Sequence, residues 1–210
     1  MSQEPATPVA TAPRRSHAWV AWIVGAVVLA VITVLSLAVL ADLGMRTYEM
    51  NRLLTAVEKS ESAMKKAQDD VVTALEPYAS GNLSAADRAK INARLEEIAA
   101  QGHQDIADAG NGVGAVWVLP WHAHIAEAQQ AYLRHNGAWV AYMTAAQSDP
   151  QQWFADQPDV NSTFAAAKMP FVEGVTLFDI GNALGRIKAI FAEDQPVQDN
   201  GGSNGGGQPA

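Results

Sequence analysis

Histidine and glutamate side chains near the middle of the chain are of the types that bind divalent metal ions. His122 and His124 are separated by one residue. Glu127 follows His124 by three positions, and His135 follows His124 by eleven. On a helix, residues two positions apart point about 200° apart, and residues eleven apart lie about 16 Å apart along the axis. Only His124 and Glu127 are well placed for one ion, and two ligands do not make a site. We therefore expect no metal and no cofactor.

The sequence also lacks the signatures of other enzyme chemistry. The chain has no cysteine, which excludes disulfides, thiolate metal ligands and cysteine nucleophiles together. It contains no H-E-x-x-H zinc pattern, no G-x-S-x-G serine elbow and no Walker lysine loop. Adjacent acids such as Asp69-Asp70 and Glu96-Glu97 diverge on a helix and indicate solvated faces. We predict that the protein is not an enzyme, although a site assembled from distant residues would leave no such motif.

One long apolar segment near the N-terminus decides whether the protein is attached to a membrane. Residues 18–41 contain no charge and no proline, and a helix of about 24 residues spans the roughly 30 Å of a bilayer core. The segment is longer than the hydrophobic region of a cleavable signal, which is usually about 7–15 residues. It is therefore predicted to stay as a transmembrane helix. The alternative is a secreted protein released by cleavage after Ala41, because Val39 and Ala41 place small residues at the two positions that a signal peptidase recognises.

Charges flanking this segment bear on its orientation. Arg14 and Arg15 precede it, which favours a cytoplasmic N-terminus. Three basic residues follow it closely and weaken the bias, namely Arg46, Arg52 and Lys59. Long segments translocate largely regardless of charge, however, and the chain beyond the span is long and acidic. We therefore expect a single-pass protein of the cell membrane. Its N-terminus is expected to be cytoplasmic, and the domain that follows the span is expected to lie outside.

Small residues within the apolar segment could form a helix-packing face. Ala21 and Gly25, and then Ala26 and Ala30, have small-xxx-small spacings that let two transmembrane helices approach closely. An alanine-rich span also produces such spacings by chance. Ala21, Gly25, Ala26 and Ala30 are therefore candidate residues for transmembrane packing.

Length and charge limit what the rest of the chain can be. The 210 residues carry a formal net charge of -8 with a pI near 5.0, which argues against nucleic acid as a partner. We expect a short disordered cytoplasmic tail over residues 1–17, the transmembrane helix over 18–41, one extracytoplasmic helical domain over 42–194, and a disordered Gly/Asn-rich tail over 195–210.

Apolar residues in this domain recur with helical spacing. The first stripe has several small members: Met50, Leu53, Val57, Ser60, Met64, Ala67, Val71, Ala74 and Tyr78. Ser84 and Asp87 resemble a capping box that begins a second helix. The glycines of GNGVG, residues 110–114, predict a flexible connection; the pattern also matches part of a dinucleotide fingerprint, but no strand precedes it.

The third predicted helix carries an aromatic stripe. Pro120 suits its first turn, and the stripe is Trp121, Ile125, Ala128, Tyr132, His135, Trp139, Tyr142 and Ala146. We expect these large side chains to pack as core against the small faces of the first two helices. The alternative is that Trp121, Tyr132, His135, Trp139 and Tyr142 form a stripe that contacts a partner or ligand.

The C-terminal third gives a weaker helical signal. A short turn is expected over residues 151–155, and residues 161–163 are predicted to cap a helix that stops before Pro170. A last helix is expected with one apolar face, formed by Leu177, Ile180, Leu184, Ile187 and Phe191. The predicted fold is all-α, a single N-terminal transmembrane helix followed by an antiparallel bundle of about four helices.

Three functions fit this organisation. The first is a membrane-anchored accessory or scaffold protein, whose non-catalytic helical domain binds another envelope protein. The second is a ligand- or pH-sensing bundle that acts through a membrane partner, with His135 as the pH-responsive group. The third is a secreted bundle released after Ala41. The expected partners are the lipid bilayer and either another membrane or envelope protein or a second copy of the chain.

Overall fold

The computed structural model describes residues 18–81, 83–175 and 182–192, and this part of the chain is helical without strands. The elements are α1 (Ala18–Leu75), a 3₁₀ turn (Glu76–Ser80), α2 (Ala85–Gly114), α3 (Ala123–Ser148), a second 3₁₀ turn (Pro150–Phe154), α4 (Pro158–Gly174) and α5 (Ala183–Ile190). The predicted all-α class is thus confirmed. The predicted tails, residues 1–17 and 195–210, lie outside the described residues, as do Leu177 and Ile180.

The chain divides into two compact units, one ending at Leu43 and one beginning at Gly44. The first unit contains the apolar part of α1. This stretch is strongly hydrophobic, and none of its most apolar part is buried. By length and composition, this helix can cross a membrane. Among the candidate packing residues, Gly25, Ala26 and Ala30 are exposed, and the side chain of Ala21 lies outside the described ones.

The second unit is an up-down-up-down arrangement of four helices with α5 added. Side-chain contacts pair Glu49 with His122 and Ser60 with Asn136, so α1 and α3 run in the same direction. Asn136 also bonds to Ile106, while Gln129 bonds to Val113, which makes α2 antiparallel to α3. In α4, Thr163 contacts His135 and Phe171 contacts Tyr132, again antiparallel to α3. Consecutive helices therefore pack as antiparallel neighbours.

The small face of α1 packs against the other helices as the sequence predicts. Of the first stripe, all residues from Met50 to Val71 are buried, including the polar Ser60. Gly102 lies where helices cross closely, because a Cβ atom there would lie 3.2 Å from Ala67 Cβ and 3.1 Å from Met143 Sδ. The large side chains of α3 thus fill space that alanine, serine and glycine leave on α1 and α2.

The predicted break at GNGVG is wrong, because α2 continues to Gly114. Gly110 is buried, and a Cβ atom there would lie only 2.7 Å from Asn136 Cγ. This glycine is therefore required for close packing against α3 and not for a turn. Gly112 has no atom within 4 Å of its would-be Cβ and is simply tolerated on the outer face. The capping box at the start of α2 is confirmed, since Asp87 N donates to Ser84 Oγ at 3.2 Å.

The predicted start of α3 is also wrong. Pro120 and Trp121 lie before the helix, which begins at Ala123. His122 has a non-helical backbone (φ −89°, ψ 57°), and its side chain is held by Glu49 of α1 at 2.6 Å. That tertiary contact, together with the bond from Leu119 N to the same carboxylate, keeps the preceding residues out of the helix.

The α4 helix differs from the prediction at both ends. It begins at Pro158, so residues 161–163 lie inside its first turns, and it continues through Pro170 to Gly174. Proline lacks the N–H that would bond to the preceding turn. Ala167 and Phe171 are fully buried on either side of Pro170, and their packing in the core holds the helix through the missing bond. The α5 helix begins at Ala183 after Asn182 in a left-handed conformation (φ 57°).

Candidate functional site

The α2–α3 connection, residues 115–122, presents two large aromatic side chains to solvent. Its sequence, AVWVLPWH, contains no Asp, Glu, Lys or Arg in a chain that is otherwise strongly acidic. Trp117 is 61% exposed and Trp121 is 63% exposed, whereas Val116 and His122 at either end are buried. We call Trp117 and Trp121 the tryptophan pair. Exposed tryptophans on an uncharged segment are typical of contact sites for proteins or for membrane interfaces.

A buried contact between a histidine and a glutamate holds one end of this connection. Nδ1 of His122 lies 2.6 Å from Oε2 of Glu49, and both side chains are at most 1% exposed. The second oxygen of Glu49 accepts a bond from Leu119 N at 3.2 Å. Burying a carboxylate is costly unless its oxygens are satisfied. Glu49 meets that requirement with partners from the connection itself, so the pair fixes the connection against α1.

An amide side chain holds the other end. Nε2 of Gln129 donates to the carbonyl oxygens of Val113 and Val116, each at 2.8 Å. These carbonyls belong to the end of α2 and the residues just after it, where the helix can no longer satisfy them. With Gln129 at one end and the Glu49–His122 pair at the other, the tryptophan pair lies on a connection tied to two helices. A surface fixed in this way loses little conformational freedom when it binds a partner.

The predicted aromatic stripe is split between interior and surface. Tyr132, His135 and Trp139 are buried, Tyr142 is half-buried, and Trp121 lies before α3 on the surface. The buried rings pack edge-on within the bundle, Tyr132 against Phe171 at 6.3 Å between centroids. Of the five residues proposed for partner or ligand contact, Trp121 is the one whose side chain is largely open to solvent.

Tyr132 and His135 converge on one carboxylate. The hydroxyl of Tyr132 donates to Glu61 Oε1 at 2.7 Å, and Nε2 of His135 lies 3.8 Å from the same oxygen. Burial raises the pKa of Tyr132 well above its usual value, with the Glu61 charge adding to the effect. Burial also lowers the pKa of His135 from 6.5 to about 4. The imidazole is therefore neutral in the folded protein between pH 5 and 8, which argues against His135 as a charge switch in that range.

The same pKa makes a prediction about stability. His135 stays neutral in the fold but gains a proton in the unfolded chain below pH 6.5, so its contribution to stability is present above pH 6.5 and is lost as the pH falls towards 4. We expect the free energy of unfolding to fall by about 2 kcal/mol between pH 7 and pH 5 from this group. Urea unfolding in mild detergent measures the fall, and NMR titration of the native imidazole checks its origin. A native midpoint near 6.5 would contradict the assignment.

A cleft of about 300 Å³ lies between α1 and α5 and is a candidate ligand site. Its charged wall includes Glu58, Lys65 and Arg186. Arg186 is engaged with α1, since it contacts Glu58 at 2.6 and 2.7 Å and Thr55 at 2.9 Å. This wall thus docks α5 onto α1 and does not offer its guanidinium to an anion.

The sequence does not predict three residues of the candidate site, namely Trp117, Glu49 and Gln129. Gln129 acts through carbonyl groups 16 and 13 positions away, and nothing in the local sequence indicates that role. Trp117 falls in an apolar run, VWVLPW, that interrupts the helical spacing, and this interruption was the available signal. Glu49 gave no such signal, because its partner His122 lies 73 positions away.

The fold and the site together define the class: an all-α protein with one helix able to cross a membrane, a compact helical domain, and a connection that bears two exposed tryptophans and is held at both ends. No protein-family model matches the chain, and neither the curated proteins nor the solved structures include a significant match.

Proposed function

We propose that this chain is a single-pass membrane-anchored protein whose helical domain lies outside the cytoplasm and binds another envelope protein. Its role is that of an accessory or scaffold protein without catalysis of its own. The anchor is supported by the apolar part of α1, which is strongly hydrophobic and is not buried by the rest of the structure. The orientation is supported by Arg14 and Arg15 before the span and by the long acidic chain after it.

The tryptophan pair carries the binding part of the proposal. Tryptophan is among the residues most enriched in the energetic centres of protein interfaces. Trp117 and Trp121 are both more than 60% exposed, and the buried Glu49–His122 pair fixes the connection that bears them. Glu49 follows Ala41 by only eight residues in the sequence, and this short connection supports a partner that is embedded in the same membrane.

The sensing alternative has less support in both of its forms, pH sensor and ligand sensor. A pH sensor acting through His135 would need a charge change near neutral pH, whereas burial holds the pKa of this histidine at about 4. A ligand sensor would need a free binding cavity, whereas Arg186 at the α1–α5 cleft is engaged with Glu58. The remaining alternative is a secreted bundle released by cleavage after Ala41. Mass spectrometry of the mature chain would detect that cleavage.

Site-specific photocrosslinking tests the proposal. A photoreactive phenylalanine analogue replaces Trp117, Trp121 or, as a matched control, Phe154, which is 61% exposed in the second 3₁₀ turn. We expect positions 117 and 121 to crosslink one and the same membrane protein in cells, and position 154 to give none of that product. Crosslinks to lipid alone would make the bilayer the partner, and crosslinks to a second copy would make the protein a homo-oligomer. Either result would overturn the proposed role, as would equal labelling from all three positions.

A further inference from the structure

Three potential metal ligands from two helices meet on the surface of the domain. His124 and Glu127 lie in the first turns of α3, and Glu173 lies in the last turn of α4. One ligand atom from each side chain lies within 4.8 Å of the others. All three side chains are exposed, so an ion can enter from solvent. The sequence showed only the first two ligands, because Glu173 is 46 positions from Glu127.

Close contact between the two helix ends fixes this arrangement. Gly174 follows Glu173 directly, and a Cβ atom on it would lie 3.8 Å from the carbonyl oxygen of His124 and 3.8 Å from Ile125 Cγ1. A methyl group at position 174 would thus be in van der Waals range of the start of α3. The helix ends that carry Glu173, His124 and Glu127 therefore lie close together.

The three side chains lack the partners that would otherwise explain their proximity. Within the described residues, the side chains of His124, Glu127 and Glu173 make no hydrogen bond or ion pair. Two carboxylates so close together repel each other. Glu173 also lies at a helix C-terminus, where the helix dipole disfavours negative charge. A bound cation would relieve both effects at once.

We propose that His124, Glu127 and Glu173 bind a divalent transition-metal ion, of which Zn²⁺ is the representative. One imidazole nitrogen and two carboxylate oxygens suit an ion of intermediate softness, whereas Mg²⁺ and Ca²⁺ prefer oxygen ligands throughout. Three protein ligands leave a coordination position open to water or to a group from another molecule. The site does not include the tryptophan pair, and its existence does not depend on the proposed function.

Zinc titration of the full-length chain tests the site. The protein is purified in mild detergent with a tag that contains no histidine, stripped with chelator, and titrated with Zn²⁺ alone by calorimetry. We expect one saturable equivalent, and we expect His124→Asn and Glu173→Gln each to weaken binding by about tenfold or more. Glu96→Gln and His103→Asn, which alter the same residue types on α2, are expected to bind as the unaltered chain does.

Two outcomes would overturn the inference. One is the absence of saturable binding up to about 100 µM free Zn²⁺, because a dissociation constant higher than this would not indicate a dedicated site. The other is binding that His124→Asn and Glu173→Gln leave unchanged, because the ion would then be held elsewhere. Since the three side chains are exposed, circular dichroism is expected to show that the variants fold normally. Zinc binding without any crosslinked partner would refute the proposed function and leave this site standing.

Discussion

Replacing Gly110 by alanine is expected to destabilise the helical domain by about 2 to 3 kcal/mol. This is the reverse of the usual effect, because alanine stabilises a helix interior by up to about 1 kcal/mol relative to glycine. At Gly110 the new methyl group would occupy the space of the Asn136 side chain, whose Cγ lies 2.7 Å from the ideal Cβ position. Either the amide or the helix must move.

The amide that would be displaced links three helices. Nδ2 of Asn136 on α3 donates to Ser60 Oγ on α1 at 2.9 Å and to the carbonyl of Ile106 on α2 at 3.0 Å. Ser60 is fully buried and Asn136 is 5% exposed, so these polar groups have little water to turn to. Moving the amide leaves buried polar atoms unsatisfied, which costs about 1–3 kcal/mol.

Gly112→Ala is the matched control for this prediction. It lies two residues further along the same helix, and its would-be Cβ has no atom within 4 Å. We expect this variant to be stabilised by a few tenths to about 1 kcal/mol. Urea unfolding of both full-length variants in mild detergent, followed by far-UV circular dichroism, measures the difference. Equal effects at positions 110 and 112 would mean that α2 does not pack against Asn136 as described.

Replacing Glu49 by alanine is the second change with a large expected effect, about 3 kcal/mol of lost stability. The substitution removes the carboxylate that lies 2.6 Å from His122 and accepts the bond from Leu119 N. Removing one member of a buried polar pair leaves the remaining polar groups in an environment from which water is excluded. The loss falls on the connection that bears the tryptophan pair, so we also expect crosslinking from position 121 to weaken.

Asp70→Ala provides the comparison on the same helix. Asp70 contacts Lys66 at the same 2.6 Å, but the two side chains are 37% and 60% exposed. Exposed pairs of this kind contribute little to stability within a helix, because water screens their charges. The two variants therefore differ in burial and not in contact length. A loss at Glu49 no greater than the loss at Asp70 would show that the buried pair does not stabilise the connection.

Helical spacing predicted most of the fold because it depends on local sequence. The stripe from Met50 to Val71 proved to be the buried face of α1, and the Ser84 cap was visible because its partner Asp87 is three residues away. Periodicity of this kind needs no knowledge of what a helix packs against. It follows that fold class and helix faces were predictable from the chain alone.

The errors arose where a distant residue decides the local structure. Glycines 110–114 resemble a break until Asn136 is seen to occupy the space beside Gly110. Pro120 resembles a helix start until Glu49 is seen to hold His122 out of the helix. Pro170 resembles a stop until Ala167 and Phe171 are found buried on both sides of it. In each case tertiary packing overrides a local preference that was interpreted correctly.

The candidate site shows the same limitation. Trp121 was singled out from its place in a stripe, but its exposure follows from the non-helical connection. The third metal ligand, Glu173, is brought to His124 and Glu127 by the contact between α3 and α4, and no spacing in the sequence encodes that contact.

The polar contacts between α1 and α3 also constrain the order of events during synthesis. Glu49, Glu61 and Ser60 find their partners 71 to 76 residues later in the chain. At a synthesis rate of about 5–20 residues per second, these groups wait roughly 4 to 15 s before those partners exist. Until α3 has been made, α1 cannot bury its polar residues with their native partners. We therefore expect a nascent chain ending before His122 to remain sensitive to protease beyond the apolar segment, and one that includes α3 and α4 to become resistant.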